Sequence, residues 1–367
     1  MLILKTNLRY NKITVKVGSN VLTKSDGTLN NANILHLVDQ IAFLHQEGVE
    51  VVLVSSGAVA AGRGEIGNGR KLDTVSARQL WSAVGQVKMI NSYAEAFRKY
   101  GISCAQVLTT KENFGDRVHY LNMKNCISTL IENKVIPIVN ENDTISVTEL
   151  MFTDNDELSG LIASMEDSEA LIILSNIDGI YDGLPELPGS KVIREITSKS
   201  KPLNEAISTN KSSFGRGGML TKYHIAKKVA KGGINVHIAN GMKENTLLKI
   251  MNSSEDFVHT TFLAEDKKSS NVKKWISYSE SFAKGELVIN KGASDALLSS
   301  QATSLLPVGV VSIEGTFEKG DLVKIKNQCG KLIGIGKSEY NSEKAEKYKG
   351  NKNTKAIVHY DYLYLME

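Results

Sequence analysis

Val51-Val52-Leu53-Val54-Ser55-Ser56-Gly57-Ala58 is the stretch that decides the fold. Four consecutive apolar residues leave no polar side to face water, so the strand they form is covered on both faces, the pattern of a parallel sheet flanked by helices. The small residues that follow make a tight strand-to-helix junction, where backbone N–H groups approach a ligand closely or simply cap a turn. Outward from there, Ile13 to Val17 reads as a strand, and Ile34, Leu37, Val38, Ile41 and Leu44 mark one helix face. Val75, Leu80, Val84, Val87, Ile90 and Phe97 have the spacing of a long helix. Ile102 to Leu108, Val135 to Val139, Leu171 to Leu174 and Ile234 to Ile238 read as further strands, separated by helical or loop material. This alternation predicts an α/β fold, an αβα sandwich around a mainly parallel sheet, over residues 1–262.

The character changes after Leu263. A polar stretch from Ala264 to Asn271 reads as linker, giving a connection over 263–276. Beyond it, Glu286 to Ile289, Val308 to Ile313, Asp321 to Ile325, Leu332 to Ile335 and Ala356 to His359 are short strands with frequent turn residues. They predict a small β-barrel-like, all-β domain over 277–367.

The 367 residues, 41% hydrophobic and 23% charged with five prolines, are the composition of a globular protein without extensive disorder. A net charge of +4 gives no reason by itself to invoke nucleic acid. From residue 263 onward, 16 Lys and Arg face 13 Asp and Glu, far from an electrostatic footprint for RNA. Cys104, Cys126 and Cys329 lack metal spacing and read as reduced thiols. Lys5, Arg9 and Lys12 precede no apolar signal region, and no apolar run approaches membrane-spanning length. The expectation is a cytoplasmic protein with no membrane role.

In an open parallel sheet, ligands bind at the carboxyl ends of the strands. Lys16, near the end of the first strand, either meets a partner or ligand there or snorkels to water, because burying an unpaired ammonium is costly. Asn140-Glu141-Asn142-Asp143 and Thr153-Asp154-Asn155-Asp156 are dense enough in acids and amides to bind an ammonium, amides or Mg²⁺, although Asp154 or Asn155 also fits a helix cap. Ser175-Asn176-Ile177-Asp178-Gly179 follows another strand and either frames a nucleotide or makes ordinary turns. Gly215-Arg216-Gly217-Gly218-Met219-Leu220-Thr221-Lys222 is a glycine loop that opens a helix and ends in a lysine suited to a transferring phosphoryl group.

Other patterns fail on context. Gly62-Arg63-Gly64-Glu65-Ile66-Gly67 matches G-x-G-x-x-G but starts well past the strand end, so it is not a dinucleotide fingerprint. Gly330 through Gly336-Lys337-Ser338 has one residue too many for a Walker A loop and reads as a hairpin turn. No histidine has zinc-protease or deaminase spacing, and there is no serine nucleophile elbow.

Taken in order, Lys-Val-Gly-Ser, Ser-Ser-Gly-Ala, Asn-Glu-Asn-Asp, Asp-Asn-Asp and Gly-Gly-Met-x-Thr-Lys resemble the amino acid kinase family and, within it, the glutamate 5-kinases. Gly292-Ala293, Ser304-Leu305-Leu306-Pro307-x-Gly309 and Gly315-x-Phe317-x-x-Gly320-Asp321 resemble a PUA domain. The resemblance spans nearly the whole chain. It implies ATP- and Mg²⁺-dependent phosphorylation of the side-chain carboxylate of L-glutamate to L-glutamyl 5-phosphate. That is the first step of proline synthesis, and L-proline is the implied inhibitor. By the same resemblance Lys16 and Lys222 neutralise the transferring phosphoryl group, and Asp156 holds both lysines. Ser56, Gly57, Asp143 and Asn155 bind glutamate, with Asp143 suited to its α-ammonium. Lys16, Ser175, Asn176, Arg216, Gly217, Gly218, Met219, Leu220, Thr221 and Lys222 hold ATP, and no metal ligand is assigned. Ser175-Asn176 stands where Thr-Asp is frequent in the family, and Arg216 where Thr is frequent. A homo-oligomer and a separate glutamyl phosphate reductase are implied partners. An RNA-binding role for the PUA-like part is the rival reading, disfavoured by its weak positive balance and scarce aromatics. A sibling aspartate or acetylglutamate kinase is disfavoured by the PUA-like part and by Asn-Glu-Asn-Asp.

Overall fold

The structure, a computed structural model, describes residues 8–67, 72–146, 152, 154–183, 189–200, 218–254, 256–265, 271–299 and 303–366. The chain forms two units, Met1–Lys268 and Ser269–Glu367. Residues 266–270 of the expected linker lie outside the described residues.

The first unit is built on strands β1 (Lys12–Val17), β2 (Glu50–Ser55), β3 (Cys104–Thr109), β4 (Ile136–Glu141), β5 (Ala170–Ser175), β6 (Glu195–Ile196), β7 (Asn235–Asn240) and β8 (Thr260–Phe262). Their order in the sheet is β3-β4-β2-β1-β5-β7-β8-β6, and every neighbouring pair is parallel except β7 with β8. Val51 to Ser55 and all of β5 are buried, as the unbroken apolar run required. Register aligns the carboxyl ends. Val17 pairs with Ser55 on one side and with Leu174 on the other, Val54 pairs with Val139, and Ser175 pairs with Asn240. Residues just past these positions therefore converge along one edge of the sheet.

Helices supply the covering layers. The Asn31–Gln46 helix buries Ile34, Leu37, Val38, Ile41 and Leu44, the face read from sequence, and the Asn30 side chain accepts a capping bond from Asn33 N at 3.3 Å. The Ala58–Ile66 helix follows β2 through Gly57, whose φ of 100° is one that L side chains rarely adopt. It packs on the long Thr74–Arg98 helix so closely that a Cβ on Gly62 would stand 1.8 Å from the Trp81 carbonyl oxygen. The G-x-G-x-x-G pattern therefore serves helix packing. The long helix read from sequence is present as Thr74–Arg98, but its buried face is not the one its apolar residues alone would mark. Its buried face is Ala77, Ser82, Gly85, Gln86, Met89, Tyr93, Ala96 and Phe97, whereas Val75, Leu80 and Val87 are exposed.

In the second unit, β9 (Gly285–Ile289), β10 (Val310–Gly315), β11 (Leu322–Asn327), β12 (Leu332–Ser338) and β13 (Val358–Leu365) form a sheet of order β10-β9-β11-β12-β13. All pairs are antiparallel except β9 with β11. The unit is not all-β: it also holds helices Asn271–Tyr278, Lys291–Leu298 and Ser342–Tyr348. The last two are capped by the side chains of Asn290 and Asn341, and are too short for apolar periodicity to announce them. Gly330 lies in the turn joining antiparallel β11 and β12, where its N–H donates to the Asn327 carbonyl at 2.9 Å, so the Walker-like near-match is a hairpin. Among the described residues no helix is long and apolar enough to cross a membrane.

Candidate active site

Lys16, on β1, is buried, and its ammonium lies 2.6 Å from Asp156 Oδ1. Lys222 reaches the other oxygen of the same carboxylate, with Nζ 2.7 Å from Asp156 Oδ2. Asp156 is wholly inaccessible and sits in the first turn of the Asn155–Met165 helix; Lys222 comes from the Met219–Lys231 helix. Burial alone would raise the Asp156 pKa, but the Lys16 and Lys222 ammonium groups outweigh it and hold the carboxyl well below the usual range. Burial likewise pulls Lys222 down, and the Asp156 carboxylate overrides it and lifts the ammonium above its ordinary value. Two ammonium groups share the Asp156 carboxylate in a largely desolvated place, which holds them side by side where they can receive the charge of a phosphoryl group.

Asp154 caps the Asn155–Met165 helix, its Oδ1 accepting from Asp156 N at 2.8 Å and Glu157 N at 3.0 Å. Its Oδ2 is buried without a hydrogen-bond partner among the described residues. Burial, reinforced by the neighbouring Asp156 carboxylate, pushes its pKa up to about 6. Asn155 ties the strand ends together. Its Nδ2 donates to Ser55 O at 3.0 Å, Ser56 Oγ at 3.0 Å and Asn140 Oδ1 at 2.8 Å.

One strand end further, Asp143 is buried and meets a cation that sequence reasoning missed. Arg78 of the Thr74–Arg98 helix donates through Nε to Asp143 Oδ1 at 2.9 Å and through Nη2 to the same oxygen. The same Nη2 lies 3.6 Å from Glu141 Oε2. Next to it, Gln79 Nε2 donates to the Thr144 carbonyl at 2.8 Å. A lone arginine in a helix carries no signature in sequence; only the fold brings it to β4.

Ser175 ends β5 and Asn176 follows it, with Ser175 Oγ 3.4 Å from Asn176 Oδ1. Their loop is joined to the one after β7. Gly241 N donates to Ser175 O at 2.8 Å, Asn240 Nδ2 to Asp178 Oδ1 at 3.0 Å, and Lys243 Nζ to Asp178 Oδ2 at 2.8 Å. Of the glycine loop, Gly218 precedes the Met219–Lys231 helix as its N-cap with no side-chain cap, and Lys222 N donates to its carbonyl at 3.3 Å. Gly215, Arg216 and Gly217, with Thr153, lie outside the described residues. The strand order thus brings Lys16, Ser56, Asn155, Asp156 and Lys222 together, with Asp143 beside them and Ser175 one strand across.

Comparison with known proteins agrees with this geometry. Residues 11–240 match the model of the amino acid kinase family, and residues 285–360 match that of the PUA domain. The chain is 58% identical to the glutamate 5-kinase of Bacteroides thetaiotaomicron, an alignment covering 97% of this chain and 99% of that one. It is 50% identical to the glutamate 5-kinase of Chlorobaculum tepidum, covering 97% and 98%. Among solved structures, carbamate kinase from Giardia lamblia bound to AMP-PNP shares the fold at 18% identity and a TM-score of 0.50, over 70% of this chain and 99% of that one. An αβα sandwich with two lysines clamped on a buried carboxylate at its strand ends is that of a phosphotransferase. The chain belongs to the amino acid kinase family, in the branch of the glutamate 5-kinases with a C-terminal PUA domain.

Proposed function

We propose that the protein transfers the γ-phosphoryl group of ATP to the side-chain carboxylate of L-glutamate, giving L-glutamyl 5-phosphate and ADP. The observation that carries this reading is the pair of lysines on Asp156, set against the Asn155–Ser56–Asn140 cluster. The acceptor is already a carboxylate, so no base is needed; the work is positioning and charge neutralisation. Asn155 and Ser56, with the backbone at Gly57, hold the side-chain carboxylate, and Asp143 takes the α-ammonium. Lys16 and Lys222 follow the negative charge from ATP to product, while Asp156 keeps them apart and correctly aimed. Ser175, Asn176 and the 216–222 loop hold the nucleotide.

Among the described residues no three His, Cys, Asp or Glu side chains are grouped to cage a metal. That suits Mg²⁺ carried on the phosphates of ATP with its own waters. When bound, the ion supplies charge neutralisation at the β- and γ-phosphates.

The product is a labile acyl phosphate, so a separate reductase acting on glutamyl phosphate is the natural consumer, in the sequence that leads to proline. Proline shares the α-amino acid head of glutamate, and competition at the Asp143 end gives feedback inhibition. Three free cysteines suit a cytoplasmic enzyme. Exposed Leu80, Val87, Val118 and Leu121 support a homo-oligomer.

The test is ADP release with ATP and Mg²⁺ across L-glutamate, L-aspartate and N-acetyl-L-glutamate, with the acyl phosphate trapped as hydroxamate. Glutamate is expected to turn over fastest, with hydroxamate in step with ADP. Faster turnover of either rival would overturn the substrate assignment, and ADP without hydroxamate would overturn the acceptor.

A further inference from the structure

The Arg78–Asp143 pair leaves one edge open on each partner. Both short contacts from Arg78 fall on Asp143 Oδ1, and Arg78 uses only Nε and Nη2 for its carboxylates. Asp143 Oδ2 and Arg78 Nη1 have no hydrogen-bond partner among the described residues. Arg78 is only partly covered, its side chain 23% exposed, while Asp143 and Glu141 are buried. Among the described residues the pair therefore offers one unused acceptor and one unused donor at the strand end that carries Asn140, which Asn155 holds. An α-amino acid head presents the complementary pair, an ammonium beside a carboxylate.

We infer that Arg78 is the specificity-determining cation of the acceptor site: its guanidinium binds the α-carboxylate of the substrate while Asp143 Oδ2 takes the α-ammonium. This rests on the glutamate reading above and names the group that reads the end of the substrate remote from the reaction. Within the chain Arg78 contacts both Glu141 and Asp143 and offsets the repulsion between these two buried carboxylates. Its planar fork serves two sides at once, one edge on Asp143 and the other on the substrate, which a lysine cannot do. The site thereby selects amino acids over simple carboxylic acids and amines.

The test pairs a variant with a truncated substrate. 4-Aminobutyrate is glutamate without its α-carboxylate and keeps the reacting carboxylate and the amine. Turnover, or the inhibition constant of 4-aminobutyrate against glutamate, is measured for wild type, Arg78→Met and Arg78→Lys. Arg78→Met should lose roughly 10- to 100-fold in kcat/KM for glutamate, mostly through KM, as expected for one charged hydrogen-bonding partner. Its interaction with 4-aminobutyrate should change by less than about threefold, since that ligand never used the arginine. Arg78→Lys should recover part of the glutamate loss and none of any 4-aminobutyrate change. Equal losses for both ligands would show that Arg78 only props Asp143 and would overturn the assignment, as would unchanged kinetics with glutamate. Absence of glutamate turnover in the wild type would overturn the parent reading instead, so the two failures are distinct.

Discussion

Lys222 Nζ lies 2.7 Å from Asp156 Oδ2 although the residues are 66 positions apart in the chain. Each stands near the start of its own helix, and both helices begin at the carboxyl edge of the sheet. Lys222→Ala leaves Lys16 alone on Asp156 and removes one of the two cations aimed at the strand-end site. It should lower kcat by about 10²–10³-fold, the usual cost of one group aimed at developing charge. The KM for glutamate should move little, because the Asn155–Ser56 pair proposed to hold the acceptor is untouched by the change. ADP release checks both parameters. A large KM effect with unchanged kcat would place Lys222 in ground-state binding instead.

Asp154→Asn should raise thermal stability at pH 7. The folded-state pKa of about 6 lies above the unfolded value, so between about pH 4 and 6 the folded protein holds a proton that the unfolded chain has released. Wild-type stability therefore falls as pH rises through that window and stays lower above it. Asparagine removes the buried charge and still caps the helix. The Tm advantage of the variant should be present at pH 7 and vanish near pH 4, as thermal scans across that range would show. A constant difference at all pH values would mean that the effect is not ionisation.

The strands were legible because burial on both faces forces unbroken apolar runs such as Val51 to Val54 and Leu171 to Leu174. β6 and β8 were not, since strands of two and three residues carry no period. The long helix was legible from its spacing, but which residues it buries was not: Val87 is 60% exposed while Gly85 is buried. Close helix packing selects small residues, which a hydrophobic pattern does not register. In the site, Lys16 stood out as a charge in an apolar strand, and Asp156 as part of a run dense in acids and amides. Arg78 and the Asp178–Lys243 pair did not, because their meaning lies in partners supplied by distant parts of the chain.

Away from the candidate active site, His237 is fully buried in an ordered chain of hydrogen bonds. His259 Nδ1 is 3.1 Å from the Phe257 carbonyl and must donate to it, leaving its Nε2 an acceptor. His237 Nδ1 lies 3.2 Å from that Nε2 and 3.1 Å from Thr261 Oγ1, and its own Nε2 lies 2.9 Å from the Tyr10 hydroxyl, so a neutral ring finds a partner on each side. Every partner suits neutral imidazole. Burial first, then His259 and Arg9, hold the His237 pKa well below its ordinary value. The unfolded chain therefore binds the proton first, and stability falls as pH drops below about 6.5, by up to about 1.4 kcal/mol per pH unit for each such histidine. His237→Gln should be less stable at pH 8 by about 1–2 kcal/mol through lost hydrogen bonds. It should also show a shallower fall from pH 7 to 5. Urea denaturation at several pH values measures both, and parallel pH slopes for wild type and variant would refute the assignment.

Gly85 stands where the Thr74–Arg98 helix crosses the Ala58–Ile66 helix, and a Cβ there would lie 1.7 Å from the Ala58 carbonyl oxygen. The reciprocal contact, Gly62 against Trp81 O, is equally close. Both obstacles are backbone atoms, so no rotamer change can relieve them, and a methyl group must push the helices apart. Ala58 begins the helix that Gly57 launches from β2, beside Ser56. The displacement therefore reaches the acceptor side of the site as well as the helix pair. Gly85→Ala, although alanine favours helix, should cost roughly 2–3 kcal/mol and lower Tm by about 5 °C or more. It should also raise the KM for glutamate while leaving the KM for ATP near its wild-type value, because Ser175 and Asn176, proposed to hold the nucleotide, lie at β5, across the sheet from this crossing. A stabilised variant with unaltered kinetics would mean that the two helices separate freely, and that the glycines are not what fixes their approach.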